Sequence, residues 1–299
     1  MLICDSHCDT LYKFYTKETD NLDITPEKLK QGGVSLQTCA MYVGSSPKKQ
    51  DILQAAEGMV KIVKACRKSG AVFVDDPKDI EEGKIKYLLS VEGGEIMEDD
   101  ISSVEYYRNL GVRMASLTWN YDNKLASCHV GDLERGLTPT GKQIVKEFNR
   151  LKIAVDLSHI NEKGFWDVLG YSQKPPMASH SCAKAICNHS RNLSDTQLRE
   201  LFNAGGFVGL NFYPRFLNEN SIANLNDVLR HIVHMYKMGG DGKVGFGSDF
   251  DGIEIKTKGI KDPTDYPALL DYMRQSGEFS NSDIENIAGR AFINYFKKL

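Results

Sequence analysis

The chain has 299 residues, 41% of them apolar and 26% charged, with a formal net charge of −3 and a pI near 6.2; this suits one large α/β barrel or two medium domains and lacks the basic excess of a nucleic-acid or membrane-surface binder. No run approaches the roughly 18 apolar residues of a membrane span, and strand-like sequence from residue 2 leaves no room for a signal peptide, so a cytoplasmic protein with a small substrate is expected. The seven cysteines are odd in number and show no zinc-ribbon or CxxC spacing, Cys182 and Cys187 included, which predicts buried thiols.

Short β-type runs alternate with longer helical patterns. In chain order the strands are expected at 2–8, 35–43, 87–91, 113–118, 153–158, 176–179, 207–212 and 244–248. Helical stretches fall at 52–68, 141–151, 195–204 and 224–238, and a last one at 282–298 follows the eighth strand. Thr25-Pro26 and Thr138-Pro139 mark helix starts with proline in the first turn. Ser194 reads as an N-cap for 195–204, whose Leu198, Leu201 and Phe202 share one face before Gly205-Gly206 ends it. Eight such units predict a single-domain TIM (β/α)8 barrel over residues 1–299, with an additional C-terminal helix packed on it. A doubly wound open sheet would draw its site from the few strands at a switch point. The residues below are spread over five.

Those residues are His7, Asp9, Glu92, His159, His180 and Asp249, each standing where a short apolar run gives out. In an extended strand residues two apart share a face, so His7 and Asp9 are expected to meet one ion. Imidazoles and carboxylates without a cysteine cluster suit catalytic zinc or another first-row divalent ion. Five ligands, His7, Asp9, Glu92, His159 and His180, are one too many for a single zinc that keeps a water. Two ions sharing a carboxylate would use all five. Such ions lie roughly 3.5–4 Å apart and activate a bridging hydroxide near neutral pH. Asp249 would then take and return the proton. His129, His189, His231 and His234 read as structural histidines, and Asp156 and Asp251 as helix caps.

The ordered motifs Asp5-Ser6-His7-Cys8-Asp9, Val91-Glu92-Gly93-Gly94, Asp156-Leu157-Ser158-His159, Ser179-His180-Ser181, Ser190-Arg191-Asn192 and Gly247-Ser248-Asp249-Phe250-Asp251-Gly252 resemble those of the membrane dipeptidase family of zinc metallopeptidases over nearly the whole chain. The resemblance implies a metallo-dependent hydrolase barrel with two Zn2+ ions that hydrolyses dipeptides, often with a D-residue at the C-terminal position. It implies that His7 and Asp9 hold one zinc, His159 and His180 the other, with Glu92 as the bridge and Asp249 as the proton-handling carboxylate. It gives Arg191 the substrate's terminal carboxylate, which a guanidinium fork matches better than an ammonium, and it makes a homodimer the expected assembly. Mammalian members are secreted and lipid-anchored, signals not read in this sequence.

One position departs. Trp119 stands where mammalian members carry a histidine that steadies the substrate carbonyl, and an indole donates one N–H and carries no charge. Oxyanion stabilisation then falls to the zinc or to Asn120. Tyr213, an aromatic after a strand, is a further candidate for substrate contact, while the loops at 121–139 and 213–223 carry no readable specificity code. A deacylase or lactonase on the same two ions is the alternative reading, and a non-catalytic metal-binding scaffold a third.

Overall fold

The computed structural model describes residues 1–44, 46, 48–76 and 79–299. Eight parallel strands close in sequence order: β1 (Ile3–Asp5), β2 (Val34–Tyr42), β3 (Lys86–Glu92), β4 (Val112–Ser116), β5 (Ala154–Asp156), β6 (Met177–Ser181), β7 (Phe207–Leu210) and β8 (Val244–Phe246). Asp5 pairs with Phe246 to complete the circle. Every expected strand is present, though β1, β5 and β8 are only three residues long.

Alternation along the strands builds the interior in layers. At one end Cys4, Leu36, Leu88, Met114, Ala154, Met177 and Phe207 form one apolar cluster with Phe292, Tyr295 and Phe296. The expected C-terminal helical segment, made of Asn281–Glu285, a wider turn at Asn286–Arg290 and Ala291–Phe296, therefore plugs the barrel floor; Phe207 and Phe292 rings lie 5.0 Å apart. Two residues further along the strands come the small or polar Ser6, Thr38, Ser90, Ser116, Asp156, Ser179 and Gly209. A side chain at Gly209 would meet Ser179 O at 2.1 Å. One more step reaches the end where Glu92 emerges.

The outward residues of the strands pack with the surrounding helices in a second cluster. Helix starts follow the sequence signals: Thr25 and Thr138 accept from Lys28 N and Gly141 N, and Ser194 forms a reciprocal capping box with Gln197. Helices at Thr10–Thr16, Ser103–Leu110, Glu162–Tyr171 and Tyr266–Ser276 were not evident in the sequence pattern. Among the described residues no helix is long and apolar enough to cross a membrane.

Candidate metal centre

Glu92 closes β3 and His180 lies within β6, so the strands themselves aim these two side chains at the barrel mouth. His7 and Asp9 stand beyond the end of β1, and Asp9 is the N-cap residue of the helix Thr10–Thr16. Strand alternation is therefore not what aligns them. His159 and Asp249 take the left-handed backbone conformation, φ 71° and 65°, which His and Asp adopt more readily than most residues. All six expected residues come together.

His7 Nε2 lies 3.5 Å from Asp9 Oδ2, 3.5 Å from Glu92 Oε2 and 3.8 Å from Asp249 Oδ1. The other Glu92 oxygen, Oε1, lies 2.8 Å from His159 Nε2 and 3.4 Å from His180 Nε2. The two imidazole nitrogens are 3.0 Å apart. One carboxylate thus faces two groups of ligands, one oxygen to each. His7 Nε2 and Asp9 Oδ1 are buried without a hydrogen-bond partner, and the atoms of His7, Glu92 and His180, and of His7, Asp9 and Asp249, cluster within 4.8 Å. Buried polar atoms rarely go unsatisfied. A cation would fit either cluster.

The electrostatics agree. Burial pulls the His7 imidazole down, but Glu92 and Asp9 outweigh it and hold it well above the usual histidine range. Burial pushes Asp9 up to about 8, helped by Glu92, and raises Asp249 with the same neighbour. Against its own burial, Glu92 is held well below the usual range by His7 and His159. Burial and Arg191 bring His159 down to about 4. Burial, His7 and Arg191 put His180 well below its normal value. His159 and His180 are thus held neutral, as an imidazole that could ligate a cation must be, while crowded carboxylates in a dry site call for positive charge.

Supporting contacts fix the ligand orientations. His180 Nδ1 meets Ser179 Oγ at 2.7 Å, which donates to Asp156 Oδ2 at 2.5 Å. Asp156 Oδ1 accepts Ser158 N and Ser179 N; this corrects the expectation of a helix cap, because the carboxylate ties β5 to β6. Asp251, also expected as a cap, instead accepts Thr10 Oγ1, Asp23 N and Ile24 N and so joins distant loops. Asn211 Nδ2 donates to Asp249 Oδ2 at 2.8 Å, leaving Oδ1 directed at the centre. Gly252 has no room for a side chain, since a Cβ would meet Asp9 Oδ2 at 2.1 Å and Asp249 Oδ1 at 2.7 Å.

The centre opens into a cavity of about 460 Å³, lined on one side by Tyr12, Tyr42 and Trp119 and on the other by Arg191, Phe216 and His189. Trp119 stands edge-on to Tyr42 at 5.0 Å. Asn120 also lines the cavity, with its Oδ1 facing His159 Nδ1 at 2.8 Å. Tyr213 reaches the wall and donates its hydroxyl to Glu254. Arg191 is 5% exposed. Its guanidinium lies 5.5 Å from the Phe216 ring and 3.5 Å from His180 O, and no carboxylate comes within 4 Å among the described residues. Burial lowers its pKa. Arg191 thus lines the cavity as a buried cation.

Sequence reasoning placed His129 and His189 among the structural histidines, yet both line the cavity; they sit in loops where no periodic signal points to a site. His231 and His234 fit the structural reading. The former accepts Ala183 N and meets Leu217 O, and the latter pairs with Asp195 at 2.7 Å.

The sequence profile of the membrane dipeptidase family, peptidase family M19, matches residues 1–299. An uncharacterised dipeptidase of Schizosaccharomyces pombe is 37% identical over 237 residues, 76% of this chain and 57% of its own length. The chain thus spans little more than half of that relative. A metallopeptidase of Rhodobacter sphaeroides, solved with a phosphinate mimic of the dipeptide L-Ala-D-Ala, superposes with a TM-score of 0.91 at 26% identity, covering 100% of this chain and 99% of its own. A further M19 metallopeptidase, dipeptidase AC, gives 0.92 at 27% identity, covering 100% and 98%.

Proposed function

The chain belongs to the membrane dipeptidase family, peptidase family M19, and from that premise we propose that it is a zinc-dependent dipeptidase acting through two metal ions, on substrates that include dipeptides with a C-terminal D-residue. The observation that carries this reading is the Glu92 carboxylate, with Oε2 toward His7 and Oε1 toward His159 and His180. When bound, two ions would supply a water of lowered pKa and a Lewis acid for the scissile carbonyl. Zinc suits the nitrogen and oxygen donors, and related first-row divalent ions share that preference.

The chain's own residues supply the rest. His7 and Asp9 would hold one ion and His159 and His180 the other, with Glu92 offering one oxygen to each. Arg191 receives the free carboxylate of the substrate and so sets the peptide bond across the centre. Asp249 takes the proton of the attacking water on Oδ1 and returns it to the leaving amine, while Asn211 holds Oδ2 still. Trp119 and Tyr213 wall the space left for the side chains. The L-Ala-D-Ala mimic bound to the Rhodobacter sphaeroides relative supports the substrate class. A lactone would leave the buried Arg191 without a partner, which favours the dipeptide over the lactonase alternative.

Metal analysis together with a panel of L,L and L,D dipeptides tests the proposal. Two ions per chain and cleavage of L-Ala-D-Xaa substrates are expected. A protein loaded with two ions that cleaves no member of the panel would overturn it.

A further inference from the structure

His129 grips His159 in two places. Its backbone N–H donates to His159 O at 2.8 Å, bracing the turn in which His159 takes a positive φ. Its ring reaches the ligand's other face through an amide: His129 Nε2 lies 3.0 Å from Asn120 Oδ1, and the same oxygen lies 2.8 Å from His159 Nδ1. An amide oxygen only accepts, so both imidazoles present an N–H to it. His159 Nε2 is then left as a lone pair facing Glu92 Oε1 and His180 Nε2. His129 Nδ1 is left to accept from Ser190 Oγ at 2.7 Å. The loop that carries His129 is itself built for this, because Asp122 accepts Cys128 N at 2.8 Å and Asp132 N at 2.9 Å.

We propose that His129 is a positioning residue for the metal centre: with Asn120 and Ser190 it clamps His159 at its carbonyl and its Nδ1, fixing the ring plane and the tautomer in which Nε2 is the ligating atom. The clamp rests on the two-ion reading given above. Its oxygen acceptor is neutral, so it orients His159 without adding to the negative charge already crowded around His7.

Zinc affinity, read by chelator competition in the absence of substrate, and the absorption spectrum of the Co2+-loaded protein test this. His129→Ala and Asn120→Leu should each weaken one of the two zinc equivalents by about 10–100-fold, leave the other unchanged and alter the Co2+ spectrum. Asn120→Asp, which offers the same N–H groups a stronger acceptor, should keep both ions. The thermal midpoint of the metal-free variants shows that they fold. Wild-type affinity in both His129→Ala and Asn120→Leu overturns the proposal. So does an Asn120→Asp protein as weak as Asn120→Leu, because the residue would then act by packing alone. Failure of the dipeptidase reading shows separately, as absence of cleavage by wild-type protein whose zinc affinities still respond to these substitutions.

Discussion

Replacing Arg191 by Met separates what the guanidinium does for substrate from what it does for the fold. A bidentate guanidinium–carboxylate contact consists of two charge-assisted hydrogen bonds of about 1.5–3 kcal/mol each. Water replaces part of that in the variant, so a net loss of about 3–4 kcal/mol is a reasonable working figure, or about 10²–10³ in kcat/KM at 1.36 kcal/mol per decade. Stability should move the other way. Breaking a buried ion pair is costly because the surviving partner is stranded, but no carboxylate lies within 4 Å of Arg191 among the described residues. Methionine keeps an apolar side chain against Phe216, which the guanidinium now covers at 5.5 Å, and removes a desolvated cation. The metal-loaded variant should therefore match or exceed the wild-type melting temperature. Steady-state kinetics on L-Ala-D-Ala and on its C-terminal amide, beside thermal unfolding, provide the assay. The amide, having no carboxylate, should lose far less. An unchanged kcat/KM for the free dipeptide, or a melting temperature lowered by several degrees, refutes the assignment of Arg191 as an anion receptor.

Three further outcomes follow from the geometry. Gly252→Ala drives a Cβ against Asp9 Oδ2 and Asp249 Oδ1; both carboxylates can swing aside in metal-free protein, but Asp9 cannot while holding an ion, so isothermal titration should show zinc affinity reduced more than 10-fold with little change in apo stability. Asn211→Leu frees Asp249 Oδ2 and should lower kcat about 10–100-fold with KM nearly constant, as expected for a group that acts in the proton transfer. His231 is pushed down to about 4 by burial, from an ordinary 6.5. The unfolded state then binds the extra proton first, so stability is complete above pH 6.5 and falls as the pH drops toward 4, by about 3 kcal/mol in all. Urea unfolding at pH 7.5 and pH 5 should show that His231→Gln loses less stability on acidification than the wild type, and parallel losses would contradict the assignment.

The barrel and the residues gathered at its candidate metal centre were legible because both rest on local pattern. A buried parallel strand is a short apolar run, and the metal-type residue standing where it gives out lies at the barrel mouth, which is how Glu92, His159, His180 and Asp249 could be picked out. The supporting contacts rest on distant pairings that no local pattern carries. Asp156 looked like a cap because helices often follow such residues, whereas its partner Ser179 lies 23 residues away on the next strand. Asp251 meets Thr10 across 241 residues. The helix Thr10–Thr16 went unseen because it buries only Thr10 and Leu11, too few for a periodic stripe. His129 and His189 belong to loops whose course is set by hydrogen bonds such as those of Asp122, and a loop of that kind has no period to read.

Two buried aspartates explain how short strands place so many ligands. Asp5 Oδ1 accepts His7 N at 3.2 Å and Ser248 N at 3.0 Å, which fastens the end of β1 to the end of β8. Asp156 Oδ1 accepts Ser158 N at 3.0 Å and Ser179 N at 2.9 Å, which does the same for β5 and β6. The first junction delivers His7 beside Asp249, the second His159 beside His180. Glu92, on β3, faces both. Six non-glycine residues have positive φ among those described; Lys17 and Lys152 end helices, Ser221 lies in a turn, and the other three are His159, Asp249 and Asp251. Backbone in that region is costly and persists where surrounding contacts over-determine it. The junctions supply those contacts at His7 N itself and at Ser248, Ser158 and Ser179, each one residue before Asp249, His159 and His180, so the barrel's own hydrogen bonds set the two halves of the centre.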